Sequence, residues 1–183
     1  MAAIGPGDLE LLAEELRDAC VESLDTIPTY EPALDGAPER SFVSPGNPVY
    51  DWVGEEETGC CDQLAIVVAG ITTDPTSPGG LAEGLKQKTA LILAIPFEIH
   101  ITRCVPNSVE PPPTTDLLEG ASAQINADGW ALTNHLFNMI RNGDLFDHCR
   151  EVFWTGTRSI NPSGGCGGFV MTLTVQLDGY QEP

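Results

Sequence analysis

Residues 163–180 read SGGCGGFVMTLTVQLDGY, and this stretch decides which kind of fold the chain can adopt. Apolar side chains occupy every second position from Phe169 to Leu177. Side chains of a strand alternate between the two faces of a sheet, so this period of two predicts a strand with one core-facing side. The glycines that precede it predict a hairpin turn joining it to an earlier strand.

The glycine run at residues 163–168 has a second interpretation, a phosphate-binding loop. Such a loop requires a helix N-terminus directly behind it and usually a lysine. A strand pattern follows this run instead, and no lysine lies nearby in the sequence. The hairpin interpretation is therefore the stronger of the two.

Two helices are predicted from apolar residues that recur at spacings of three and four. The first lies within residues 8–24 with Asp8 as its N-cap, and its stripe is Leu9, Leu12, Leu16, Cys20 and Leu24. The second is predicted over Thr115–Asn142, ending at an Asn-Gly pair. Its stripe consists of Leu118, Ala121, Ile125, Gly129, Leu132, Leu136 and Met139. A glycine in that stripe permits close packing.

Strands are also predicted at residues 61–69, 90–105 and 151–155, and the second contains a predicted irregularity at Pro96. Helix, loop, two strands, helix and two strands follow one another along the chain. This order predicts an α+β fold, in which a mostly antiparallel sheet packs against two helices on one face.

We expect a single domain over residues 1–183. Residues 28–60 contain five prolines and four glycines, which predicts a long irregular segment. Residues 72–84 are polar and predict a protruding hairpin loop. The aromatic residues of the first segment indicate that it packs on its own domain or on a neighbour. Five residues there are candidate interface residues: Tyr50, Trp52, Glu55, Glu56 and Glu57.

The charge is strongly acidic, with 27 acids, 8 bases and a net charge of −19. Such a chain repels nucleic acid and anionic membranes, which bind through lysine and arginine. No basic start followed by an apolar run indicates a targeting signal, and the longest apolar run, residues 90–97, is far shorter than the roughly 20 residues of a membrane span. We expect a soluble protein that stays where it is made.

The residues that most often carry chemistry show no recognisable spacing. No CxxC pair exists, so we expect free and mostly buried thiols at Cys20, Cys60, Cys61, Cys104, Cys149 and Cys166. The histidines His100, His135 and His148 lack the i, i+4 spacing of a zinc site. No catalytic residue, metal site or cofactor is predicted. The adjacent His148 and Cys149 leave a cysteine-dependent enzyme as an alternative.

The order of elements and several motifs resemble the tail terminator proteins of long-tailed bacteriophages, in the form found in phages and prophages of actinobacteria. The resembling segments are CDQL at 61–64, RCVP at 103–106, the helix at 115–142, NPSGGCGGF at 161–169 and TLTVQLDGY at 172–180. The glycine and cysteine hairpin is the most specific of them, and residues 28–59 are longer and richer in proline than the family pattern.

The resemblance implies a structural virion protein without catalysis or cofactor. Tail terminators assemble as a hexameric ring on the finished tail tube, stop its growth, and present a surface to the head-side neck proteins. The implied partners are further copies of the chain, the tail tube protein and a connector or stopper protein. DNA would pass through the lumen without specific binding, and the acidity fits such a lining. The implied location is the virion tail or neck, after assembly in the host cytoplasm.

Two alternatives remain open from the sequence. Other ring-forming neck proteins, such as a head-to-tail stopper or a tail-completion connector, have a similar size. A small cysteine-dependent enzyme using Cys149 or Cys166 is the more distant alternative.

Overall fold

The computed structural model describes residues 6–25, 35–44, 46, 62–73, 92–106, 112–147, 149–163 and 165–178. These residues form two helices and six strands that share one sheet. In chain order the elements are α1 (Pro6–Asp25), β1 (Arg40–Ser44), β2 (Gln63–Val68), β3 (Thr72–Thr73), β4 (Ile92–Cys104), α2 (Thr115–Asn142), β5 (Glu151–Ser163) and β6 (Cys166–Asp178).

The sheet has the strand order β1-β2-β4-β6-β5, and β3 pairs with β4 off this path. Every pairing is antiparallel except that of β1 with β2. The helices contact one another and pack on the sheet. The predicted α+β architecture, with a mostly antiparallel sheet and two helices on one face, is confirmed.

Strands β4 and β6, which pair along their whole length, supply the centre of the core. Their alternate residues from Ile95 to Ile101 and from Phe169 to Leu177 are at most 4% exposed. The predicted stripe of α1 packs into the same core beside α2 and over β1 and β2, with Leu12, Leu16, Cys20 and Leu24 buried. Burying an aliphatic side chain of this size contributes about 1.5–3 kcal/mol, so the alternation drives this packing.

Helix α2 has the bounds that the sequence predicts. Gly143 follows it with φ 79°, and its N–H donates to the carbonyl of Ile140, which closes the last turn. The position of a Cβ on Gly129 would lie 3.7 Å from the ring of Phe169, so this glycine faces the sheet as predicted. The predicted stripe is wrong at Leu118, which is 49% exposed, because the first turns of α2 do not lie over the sheet core.

Several predicted boundaries are corrected. Residues 40–44, expected to be irregular, form β1, because the preformed edge of β2 offers a backbone partner in parallel register. Residues 72–73 form β3, and the rest of the predicted loop at 72–84 lies outside the described residues. The strand predicted at 151–155 extends to Ser163, so β5 and β6 are each 13 residues long.

Pro96 lies within β4 and leaves its register with β6 continuous. The predicted irregularity is on the other side of β4. Val68 and Thr72 are four positions apart in the sequence, whereas their partners Phe97 and Ala94 are only three positions apart. Proline has no N–H to donate, and this one-residue bulge falls opposite it.

Candidate functional site

Two of the sequence segments that carry the resemblance meet at one end of the sheet. The register of β4 with β6 places Arg103 opposite Gly167 and Cys104 opposite Cys166. The N–H of Val105 donates to the carbonyl of Gly165 at 2.7 Å. RCVP at 103–106 and the glycine hairpin are therefore one structural unit, although about 60 residues separate them in the sequence.

Glycine is required at two positions of this unit for different structural reasons. Gly165 has φ 90° in the turn between β5 and β6, a conformation that glycine adopts without steric cost. Gly168 lies directly against β4, where an added Cβ would overlap the carbonyl oxygen of Ile101 and lie 2.9 Å from its carbonyl carbon. The run is thus a hairpin turn followed by a close strand contact, which confirms the interpretation favoured from sequence.

Arg103 forms a buried polar network on the helix side of β4. Its side chain is 4% exposed, and that of Asp128 on α2 is 0% exposed. Nε of Arg103 donates to one carboxylate oxygen of Asp128 at 2.7 Å, and Nη2 donates to the other at 3.0 Å. Nη1 donates to Asp62 at 2.7 Å, and Nη2 also donates to the carbonyl of Gly36 at 2.6 Å. One guanidinium therefore joins α2, β4 and the residues that precede β1 and β2.

Gln124 extends this network to the chain before β1. Its Nε2 donates to the carbonyl of Asp35 at 3.0 Å and to Asp128 at 2.9 Å, and its Oε1 accepts the N–H of Asp35 at 2.9 Å. The N–H of Ala37 donates to Asp25 at the end of α1 at 2.9 Å. The approach to β1 is thus held by both helices.

Burial makes the charged groups of this network costly, because they lose their hydration. Burial raises the pKa of the Asp128 carboxyl, and the bidentate Arg103 guanidinium offsets part of that increase. The geometry, with both carboxylate oxygens bonded to one guanidinium, is that of a charged pair. With so little of either side chain exposed, the pair is suited to fixing the fold and not to binding a ligand.

The cysteines differ from the sequence expectation. Cys104 and Cys166 are both disulfide-bonded, whereas Cys20 and Cys149 are free thiols. The prediction of free thiols is therefore wrong at the first two and confirmed at the second two. The spacing of the cysteines in the sequence contains no local signal for these disulfides. Cys60 and Cys61 lie outside the described residues.

Cys149 was the candidate nucleophile of the enzyme alternative. Burial, with smaller contributions from Glu15 and Asp147, raises the pKa of the Cys149 thiol to about 12. The thiolate is the reactive species, so a raised pKa disfavours nucleophilic chemistry at neutral pH. Its neighbour His148 lies outside the described residues, and Cys166, the other candidate, is held in a disulfide.

We expect iodoacetamide at pH 7.5 to alkylate Cys149 at least about 100-fold more slowly in the folded protein than in urea, because the thiolate fraction falls tenfold per pKa unit. Peptide mapping by mass spectrometry measures both rates, and the urea-unfolded chain is the internal control. Equal rates in the two states would return Cys149 to consideration as a nucleophile.

The other two histidines, His100 and His135, lie on different elements of the fold. His100 lies on the face of β4 away from the helices, with Nε2 2.8 Å from Glu98, and burial lowers its pKa. His135 on α2 is half-buried, and its buried Nε2 atom has no hydrogen-bond partner among the residues that the structure describes. Within the described part of the chain, no group of three histidine, cysteine or acidic side chains is arranged to hold a metal ion.

The five predicted interface residues, Tyr50, Trp52, Glu55, Glu56 and Glu57, all lie outside the described residues. The structure shows other exposed apolar side chains that the sequence reasoning missed. On α2, Trp130 is 56% and Phe137 58% exposed, and they lie seven positions apart on one face of the helix. The others are Leu11, Ile71, Leu117, Leu118 and Phe153. The sequence contained a signal for the exposure of Trp130 and Phe137, because neither residue belongs to the predicted core stripe of α2.

No protein-family model matches the chain, and no curated protein matches its sequence significantly. Neither helix in the described ranges is long and apolar enough to cross a membrane.

Proposed function

We propose that this chain is a structural virion protein, a tail terminator that forms a ring on the tail tube of a long-tailed bacteriophage and joins it to the head-side neck proteins. The observation that carries the proposal is the convergence of the resembling segments. RCVP pairs with the glycine hairpin through the register of β4 with β6, and the buried pair of Arg103 and Asp128 joins RCVP to α2. The segments that resemble the family therefore form one structural unit, and this is the support that we take for the proposal.

The exposed surface supports an assembling protein. Large aromatic side chains are the usual anchors of protein interfaces, and Trp130 and Phe137 remain more than half exposed on one face of α2. In an enzyme, the polar groups of the active site would instead be expected to lie together in a cleft. The most buried polar cluster here, around Arg103, has little exposure to solvent.

The charge distribution supports the passage of DNA. Helix α1 carries seven acidic residues and only Arg17, and most of these acids are exposed. Lysine and arginine retain DNA because they replace condensed counterions on its phosphates, and acidic side chains do the opposite. A ring of subunits with a net charge of −19 each would let DNA move through its lumen without adhering.

Native mass spectrometry of the purified chain, alone and with tail tubes, tests the proposal. A terminator is expected to form one closed oligomer, six copies by the resemblance, and to bind tube ends. The double variant Trp130→Ser with Phe137→Ser is expected to weaken binding to the tube or to the neck by about tenfold or more, since such aromatic anchors contribute most of the binding free energy of an interface.

Glu119→Ala, an exposed change on the same helix, is the matched control. Binding to a head-side connector without binding to the tube would assign the chain to another neck component. A stable monomer that does not bind tail tubes would contradict both assignments.

A further inference from the structure

Both outer edges of the sheet are open in the described part of the chain. There, β5 pairs only with β6, and β1 pairs only with β2. The unpaired N–H and carbonyl groups of an edge strand are a template for a further strand, so natural sheets either protect such edges or use them.

Two bulges divide the outer edge of β5. The register with β6 shifts between Trp154 and Gly156 and again between Ile160 and Ser163. A straight segment over residues 156–160 remains between them. Bulges restrict indiscriminate pairing, so only a short strand fits this edge. Strand β1 is also short, with five residues.

The directions of the two edges are compatible. β4 is antiparallel to both β2 and β6, β1 is parallel to β2, and β5 is antiparallel to β6. Consequently β1 runs opposite to β5 within one subunit. A second copy rotated about a ring axis would place its β1 antiparallel to β5 of the first, with the helices of both copies on the same side of a continuous sheet.

The side chains at the centres of these segments also match. Phe42 is opposite Ala65 in the register of β1, and Arg158 is opposite Val170 in that of β5, so both lie on the sheet face away from the helices. Phe42 is half-buried, and the side chain of Arg158 is 68% exposed. Within one subunit, Nη2 of Arg158 lies 3.5 Å from Glu98. Centre-to-centre pairing would place this guanidinium within reach of the Phe42 ring of the neighbouring copy as well, a favourable cation–π contact.

Charge favours a second copy at these edges. In a chain of net charge −19, β5 carries only Glu151 and Arg158, and β1 carries only Arg40. Two copies that approached through their acidic α1 helices would repel one another, whereas these edges bring no excess of acids together.

We propose that adjacent subunits join by antiparallel pairing of β1 from one copy with residues 156–160 of β5 from the next. This inference rests on the proposed ring and names its subunit contact. It is distinct from the surface that contacts the tail tube, for which Trp130 and Phe137 are the candidates.

Cysteine cross-linking tests the pairing directly. Residues directly opposite in antiparallel strands have Cβ atoms about 4.5–5.5 Å apart, close to what a disulfide requires. The double variant Phe42→Cys with Arg158→Cys is expected to give a ladder of covalent multimers on a non-reducing gel after mild oxidation. Phe42→Cys alone and Arg158→Cys alone serve as controls for the native cysteines and are expected to give no ladder.

Two further variants separate assembly from folding. Consecutive residues of an edge strand direct their N–H groups alternately to the paired strand and to the open edge. Proline has no N–H, so one of the variants Thr157→Pro and Arg158→Pro removes an N–H from the open edge, and the other removes an N–H that bonds to β6. The outward variant is expected to keep the parental Tm and lose the oligomer.

The outcomes distinguish the two proposals. Dimers from Arg158→Cys alone would show two-fold pairing of β5 with itself and overturn the inference. An intact ring without a ladder in the double variant would overturn it too, while leaving the proposed function in place. A ladder in a protein that does not bind tail tubes would support the pairing and contradict the terminator assignment.

Discussion

Replacing Asp128 with alanine is expected to lower the free energy of unfolding by about 3 kcal/mol, because it breaks a buried charge pair and leaves Asp62 as the remaining carboxylate partner of Arg103. Arg103 would lose both hydrogen bonds to that carboxylate, and its side chain is only 4% exposed. Gln124 would lose its contact to the same group. Urea denaturation followed by circular dichroism measures the change.

Glu119→Ala is the matched control, because it removes an exposed acid from the same helix and is expected to change stability by less than about 0.5 kcal/mol. The double variant Arg103→Met with Asp128→Leu is expected to recover most of the loss, since apolar replacement of a buried pair is often neutral. A cost below about 1 kcal/mol for Asp128→Ala would show that the pair does not hold α2 on the sheet.

Gly168→Ala is expected to be strongly destabilising, costing about 3 kcal/mol because overpacking forces backbone shifts. Its new methyl group would overlap the carbonyl of Ile101 across the central strand pair, and neither strand can move without disturbing the core. Thermal unfolding and the yield of folded protein measure the effect.

Two glycines on α2 provide controls for the added methyl group. Gly120 has open space where a Cβ would lie, so Gly120→Ala is expected to stabilise the protein by about 0.5–1 kcal/mol through helix propensity. At Gly129 the added Cβ would meet the Phe169 ring at an ordinary contact distance, so alanine should be tolerated. A Gly168→Ala variant as stable as these two would contradict the close strand contact.

The local elements of the fold follow from the sequence because their signals are local. The alternation from Phe169 to Leu177 predicts β6, and the Asn-Gly pair marks the end of α2 where the structure ends it. Propensity and periodicity act within a few residues, so they need no knowledge of the partner strand. The α+β class then follows from the order of such elements.

The buried ion pair was missed, although a signal for it existed. Asp128 lies four residues from both Gln124 and Leu132, on the buried side of α2. Arg103 continues the series Phe97, Ile99 and Ile101 on the core face of β4. A charge that interrupts an apolar stripe needs a partner, so two interruptions of opposite sign would have predicted a buried pair.

Other features depend on contacts that no local pattern contains. Strand β1 has only Phe42 and Val43 as apolar residues and forms because β2 offers it an edge. Cys104 and Cys166 are 62 positions apart and lie opposite each other only once β4 and β6 pair. The exposure of Trp130 and Phe137 likewise depends on where α2 lies on the sheet.

Negative-stain electron microscopy of the purified protein mixed with tail tubes tests most directly whether the chain assembles into a ring that ends a tail tube. Closed rings with a central hole are expected in the free protein, and one ring is expected at the end of each tube. Uniform monomeric particles, with bare tube ends, would contradict this assembly.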